Sequence, residues 1–405
     1  MTSDILYKID LAGTSNIIQL SKPERQIALD LLSLSKIMAK DVELTQPLLE
    51  RLCVALAPHK RLPEELLSEI FVLCMPCAAI IVPPIVGEHT PWTLRRVCAP
   101  WRRIALGESR LWNNLQLRRP FSWDLKGEKL QKYLEHLQRE IVHPTLPISF
   151  DFYGSEPTGA FVSTVRAYFL QPDLHRFRHL SMGDTHSINE VLRISGTSLA
   201  NLSSLTISSN SASAINSLSR PVPLFQNGLA SLRRLKLELG NPRAELLVPP
   251  NIPWHQLTDL MLSTPSSMFN VAFLDVLSAA KTLRQCNSLV RCCIAVNPRA
   301  KSNEVTNDTV IKPVSLPTLR AFELLCVPKT HVSTPGANDP VVPFLDALEV
   351  PALVELRIRG YNAPNQHATL SALVHRSSCS LRVCELLGDE RLGYPRGVFP
   401  ESSRL

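Results

Sequence analysis

Cys74 and Cys77 stand at the C-x-x-C spacing of half a zinc site, with His89 and Cys98 downstream. No second C-x-x-C or paired histidine completes a four-ligand set, so the pattern argues for thiols without a metal. His175 and His179 are four apart, as a metal-binding pair would be on a helix, but the surrounding apolar pattern sets them along a strand without further ligands. The chain has no G-x-S-x-G, H-E-x-x-H, G-x-x-x-x-G-K-[ST] or G-x-G-x-x-G, and the glycine pair Gly154 and Gly159 lacks a lysine that would reach a phosphate. Neither bond-making catalysis nor a cofactor is expected. Asn201 and Asn307 begin sequons that carry no meaning inside a cell.

What remains is the chemistry of recognition. Arg234, Lys236, Arg291, Arg357 and Arg359 fall at strand positions flanked by apolar residues, together with Glu238, Asp259, Glu323, Glu355 and Glu385. An arginine fork holds two oxygens at once, which suits an acidic or phosphorylated segment. Neighbouring Glu238, Asp259 and Glu355 would instead neutralise the cations locally. A face of mixed sign favours a protein partner over a uniform polyanion. The net charge of +7 comes from dispersed pairs such as Arg95 and Arg96, which weighs against a nucleic-acid surface.

Those charges depend on a repeated phrase for their placement. From about residue 146 the sequence keeps returning to a short window with apolar residues at positions 1, 4, 7 and 9. LANLSSLTI from Leu199, LASLRRLKL from Leu229 and WHQLTDLML from Trp254 are the clearest of eight copies, which begin at Leu174, end at Leu386 and recur about every 29 residues. One strand and one returning helix need that length, and no single such unit buries its own apolar face, so the copies must stack. Helical stretches from Met268 and from Asn365 alternate with them. Leu202, Leu205, Leu232, Leu235, Leu257 and Leu260 are expected to point inward.

Ahead of the repeats lie two short amphipathic runs. In LPEELLSEIFVLCM, Pro63 opens a helix, Glu64 and Glu65 meet the positive end of its dipole, and Pro76 follows its end. In LRRVCAPWRRIALGESRLWNNLQL, Leu94, Val97, Cys98, Trp101, Ile104 and Ala105 keep helical spacing, followed by the cluster Leu111, Trp112, Leu115 and Leu117. Pro100 is admissible there only where a helix restarts. A long proline-broken insert separates the two runs.

The order LP..LL..IF, then L..VC..WR.IAL, then LW..L.L resembles the F-box family, in the expanded form of fungal proteins, over about residues 59 to 118. The later repeats resemble the irregular leucine-rich repeats that often follow an F-box. The family's asparagine after the strand is clear only at Asn210 and Asn297, which implies an uneven solenoid. The resemblance implies docking on a Skp-type adaptor, and through it on a cullin scaffold, while the repeats hold a protein target near a ubiquitin-charged enzyme. Leu62, Pro63, Leu66, Ile70, Phe71, Leu94, Val97, Cys98, Trp101, Leu111 and Trp112 match the family positions that contact the adaptor or hold the helical core. Arg234, Lys236, Arg291, Arg357 and Arg359 would face the target from the concave side. The alternatives are a noncatalytic scaffold that works without a cullin, and a polyanion-binding solenoid.

Ser21 and Glu24 have capping-box spacing, and Ile27, Leu31, Leu34 and Met38 predict a helix over about 22 to 45, with a second apolar run after Pro47. These helices could pair with each other, brace the module or meet a partner chain. A content of 45% hydrophobic and 20% charged residues belongs to a folded protein. The start has no long apolar core behind a basic flank, and the apolar stretch Val72 to Val86 is proline-broken and shorter than a span of about 20 residues. The expectation is therefore a cytoplasmic or nuclear protein with no membrane role. Most of the ten cysteines, Cys98, Cys292 and Cys384 among them, read as reduced core thiols. The expected architecture is α/β: an N-terminal helical segment (1–58), the F-box module (59–118), a helical linker (119–145), a solenoid of parallel strands and helices (146–390) and a tail (391–405).

Overall fold

In a computed structural model, the chain divides into two compact units, residues 1–115 with 135–146, and residues 116–134 with 147–405. The structure describes most of 20–37, 42–57, 62–75, 91–118, 148–153, 174–209, 222–239, 252–263, 274–297, 311–326, 341–360 and 366–387, with a few isolated positions. Nearly all of the linker 119–145 and the whole tail 391–405 lie outside the described residues, as do Cys77 and His89.

In the first unit, α1 (Lys22–Ile37) and α2 (Val42–Ala55) pair with each other around Ala28, Leu52 and Leu56, with Leu20, Ile27, Leu31 and Leu32 packed against them. Half of the expected capping box is present: the Ser21 amide donates to Glu24 Oε2 at 2.7 Å, and Lys8 Nζ lies 2.8 Å from the same carboxylate. The first helix is described as far as Ile37, residues 38–41 lie outside the described residues, and Pro47 lies inside α2 rather than ahead of it. An interior proline costs about 3 kcal/mol. Burying Leu52 and Leu56, at about 1.5–3 kcal/mol per side chain, offsets that and carries the helix through.

Among the described residues, nine strands of the second unit stack in parallel in chain order: β1 (Ile148–Tyr153), β2 (Phe177–Met182), β3 (Ser204–Ser209), β4 (Arg234–Leu239), β5 (Asp259–Ser263), β6 (Arg291–Asn297), β7 (Ala321–Cys326), β8 (Glu355–Arg359) and β9 (Val383–Leu387), with shorter parallel pairings beside them. The last eight are the eight copies of the repeated phrase. Between them lie returning helices, among them α6 (Thr185–Leu192), α7 (Pro223–Gln226), α8 (Val276–Leu283), α9 (Val341–Asp346) and α10 (Gln366–Ser377). This is the mixed α/β architecture, N-terminal helices and then a stacked strand-and-helix repeat, that the spacing required. Leu202, Leu205, Leu232, Leu235, Leu257 and Leu260 are all buried, on the face expected for them.

A recurring backbone bond ties each repeat to the one before it at the strand entrance. The amides of Ser203, Arg233, Thr258, Val290, Arg320, Val354 and Arg382 donate in turn to the carbonyls of Arg178, Ser203, Arg233, Thr258, Val290, Arg320 and Val354, all at 2.8–2.9 Å. Side chains reinforce it: Gln256 Nε2 reaches the Leu229 and Leu232 carbonyls at 2.6 and 3.0 Å, and Thr318 Oγ1 the Leu289 carbonyl at 2.8 Å. Such bonds do the work that a regular asparagine ladder would do in an even solenoid. Among the described residues, no helix is long and apolar enough to cross a membrane.

Candidate functional site

Two candidate surfaces arise, one in each unit. In the first, α3 (Glu64–Leu73), α4 (Leu94–Val97) and α5 (Ala99–Gly107), with the 3-10 turn Ser109–Trp112, make the small helical module. Pro100 falls in the first turn of α5, after an extended Cys98 (φ −160°, ψ 170°), so the helix does restart there and no hydrogen bond is lost. Phe71 meets Trp101 with ring centroids 4.8 Å apart, and Trp92 meets Trp112 edge-on at 5.1 Å. The buried Trp112 indole donates to the Ala105 carbonyl at 2.6 Å.

Charge fixes α3 against the second half of the module. Arg103 pairs with Glu64, Ser68 donates to Glu108, and Arg110 bridges Glu69 at 2.7 Å and Glu108 at 2.8 Å. Hydrogen bonds from Arg110, and then from Ser68, hold the Glu108 carboxyl down to about 2 against the opposing effect of burial.

The motif residues split into two sets. Phe71, Leu94, Leu111 and Trp112 are buried within the module, so they can shape a docking surface but cannot touch a partner. Trp101, Cys98 and Leu62 are half-buried, and Pro63 is exposed. Leu66 and Ile70, one turn apart on α3, are 52% and 41% exposed, Leu73 on the next turn is 83% exposed, and Val97 of α4 is 45% exposed. Leu73 was not singled out in the sequence, although its spacing from Ile70 was a usable signal. Of the insert between the helices, Ala79–Ile81 is described, as a short strand.

The second surface is the face of the parallel sheet turned away from the inward leucines. Register sets its residues in rows. One runs His179, Ser204, Arg234, Asp259, Arg291, Ala321, Glu355 and Val383. The next, two residues further along each strand, runs Asp151, Ser181, Thr206, Lys236, Met261, Cys293, Glu323, Arg357 and Glu385. His175 is not on a strand beside His179 as expected; it lies in the 3-10 turn Leu174–Arg176 and is exposed.

The five cations are on this face but not free as a group. Lys236 pairs with Glu238 at 2.9 Å, Arg291 with Asp259, and Arg357 with Glu355 at 3.4 Å and Glu385 at 3.1 Å. Arg359 Nε lies 2.8 Å from Glu323 Oε1. Arg234 alone of the five has no carboxylate partner among the described residues.

Burial separates these pairs further. Asp259, Met261, Cys293, Glu323 and Arg359 are all buried, so the middle of the face is closed where the sequence pattern expected an open surface. Arg359 is therefore withdrawn from any target. An exposed pair such as Lys236 with Glu238 contributes about 0–1 kcal/mol and exchanges readily, whereas removing one member of a buried pair costs about 3–5 kcal/mol. Burial raises the pKa of Glu323, with Arg359 and Arg357 opposing it, and raises that of Asp151, with a hydrogen bond from Ser181 opposing it. Burial, then the nearby Arg234 and Arg178 charges, lower that of His179 to about 4, leaving a neutral imidazole.

Three thiols of the repeats are buried and held protonated. Burial pushes Cys286 up to about 12 and raises Cys292 and Cys293 well above the usual range. Cys384, expected in the core, is exposed instead, on the last of the described strands; it lines an open hollow of about 630 Å³ with Leu370, Val374, Leu381 and Leu386.

No family model matches the chain, and no curated protein matches it. Among solved structures it is similar to a chain from the crystal structure of the Rad7 and Elc1 complex in yeast, at 12% identity and a TM-score of 0.40, covering 73% of this chain and 69% of that one. A likeness at that level says nothing about function.

Proposed function

We propose that this chain is a noncatalytic receptor subunit of a cullin-type ubiquitin ligase, in which residues 59–118 dock on a Skp-type adaptor and the repeats hold a protein target. The observation that carries the reading is the set of exposed apolar side chains Leu66, Ile70 and Leu73 at successive turns of α3, with Val97 of α4, on a module whose Phe71, Leu94, Ile104, Leu111 and Trp112 are buried. Solvent-facing leucines at successive turns of a short helix mark a partner surface when they sit on a rigid support. The support comes from the Phe71–Trp101 and Trp92–Trp112 contacts and from the Arg110 bridge.

The role asks no bond chemistry of the chain. Holding a target's lysines near a ubiquitin thioester raises their effective concentration, and transfer then behaves as an intramolecular step. The ion-paired face of the sheet suits a protein better than a polyanion, since most of its cations are already neutralised.

The test is copurification of the full chain with a Skp-type adaptor and a cullin. Leu66→Arg with Ile70→Arg should leave the module folded and weaken adaptor binding at least about thirtyfold, the scale of losing a well-buried anchor. Binding unchanged by that pair would remove this surface from the interface. Capture of the adaptor without a cullin would assign the chain to scaffolding instead.

A further inference from the structure

We propose that the corner of the sheet face built by β2, β3 and β4 binds an anionic oxygen group, a carboxylate or a phosphate, carried on an extended protein segment, with Arg234 as its charged contact. The proposal rests on the reading that the repeats receive a protein segment, and it names where that segment is gripped and by what chemistry.

Register places His179, Ser204 and Arg234 side by side on three adjacent strands, with Thr206 and Lys236 in the next row of the same face. With strands about 4.8 Å apart and rows about 7 Å apart, they cover a patch of about 10 by 7 Å. Arg234 has no carboxylate partner among the described residues. Among the described residues Lys236 pairs with the partly exposed Glu238, for which an incoming oxygen can exchange. The hydroxyls of Ser204 and Thr206 can donate, and the neutral ring of His179 adds a donor without a competing charge.

The surroundings set limits on either side. Asp259 is engaged by Arg291 and by the Thr258 hydroxyl at 2.7 Å, so its charge is met from within the fold. On the far side, Ser181 is bonded to Asp151, which removes it from the ligand. Beyond Asp259 the face is buried through Met261, Cys293 and Glu323. A flat patch of strand residues cannot enclose a free small anion, because small-ligand sites are concave. An oxyanion borne on a larger body that covers the patch fits it better.

The test uses the full chain, immobilised, and a ten-residue peptide library whose central position is fixed as Glu, phosphoserine, Ser or Lys. The Glu or phosphoserine library should be retained at least about tenfold above the Ser library, and the Lys library least, which is the scale of one charge-assisted bond. The ratio of Glu to phosphoserine retention identifies which source of the oxygens is used. Arg234→Gln should bring retention to the Ser level, Lys236→Gln should lower it in part, and Arg193→Gln, at an exposed cation away from this corner, should leave it unchanged, with all three variants melting as the wild type does. Equal retention of the Ser, Glu and phosphoserine libraries, or an acidic preference that survives Arg234→Gln, would overturn the proposal. If none of the four libraries is retained while the adaptor still copurifies, peptide capture by the repeats fails and adaptor docking stands.

Discussion

Glu323 on β7 and Arg359 on β8 meet diagonally across adjacent parallel strands, with Nε and Oε1 2.8 Å apart and both side chains almost wholly out of water. Neither carboxylate oxygen is aligned for a hydrogen bond, so the contact is one of charge rather than of geometry. A buried carboxylate that accepts no hydrogen bond recovers little of its desolvation from a neighbouring charge.

It follows that Arg359→Met alone should destabilise the second unit by about 3–5 kcal/mol, by removing the nearest charge that opposes the burial of Glu323, whereas Glu323→Leu with Arg359→Met should cost under about 1 kcal/mol or stabilise. Urea unfolding of the single and double variants measures this. A double variant as unstable as the single would mean that the pair is a net stabiliser.

His179 predicts a contribution to acid sensitivity. Its folded pKa lies below the unfolded value, so the stability it confers is full above about 6.5 and is lost as pH falls toward about 4. Glu323 and Asp151, whose pKa values are raised, act with the opposite sign as pH falls through the carboxylate range. His179→Gln should therefore flatten the loss of stability between pH 6.5 and 4 by about 1–2 kcal/mol, less than the full shift implies because part of the ring meets solvent. Thermal melts of both proteins across that window check it; parallel curves would show that the ring is as well solvated folded as unfolded.

Leu235, buried between repeats, should behave as a core residue: Leu235→Ala is expected to cost about 2–5 kcal/mol. A melting temperature unmoved by the change would overturn the strand register.

Trp112→Ala should act on the module's fold rather than on a contact with a partner, since the indole is buried and bonded to Ala105. The expected loss is about 3–5 kcal/mol, visible as faster proteolysis of residues 59–118. Leu66→Arg should leave proteolysis unchanged. Equal protection of the Trp112→Ala and wild-type proteins would mean that the aromatic pair carries no stability.

The leucine pattern was legible because burial alternates with period two along a strand, and eight copies of one phrase leave little freedom in where Leu205 or Leu235 can point. The capping role of Glu24 was legible for a similar reason, being set by four consecutive residues. Pro100 was legible as a helix restart only as one of two possibilities, and the extended Cys98 decides between them. Pro47 misled, because a proline's penalty is local while the packing of Leu52 and Leu56 that overrides it comes from another helix. The sheet face was half legible. Spacing put Arg291 and Asp259 at equivalent strand positions and raised local neutralisation, but the pairing of Arg359 with Glu323 depends on a diagonal contact between repeats of unequal length. The closure of the face over Met261 and Cys293 has no signature in either residue's neighbours. Exposed Cys384 reflects its place on the last of the described strands, which residue type does not encode.

The backbone bonds that run from Arg178 to Arg382 have a mechanical consequence. Each link joins one repeat to the next at the strand entrance, so tension along the stack loads these links in series, and the link that yields first does so without forewarning the others. A region built this way should extend in steps of about one repeat, like a zip opened tooth by tooth.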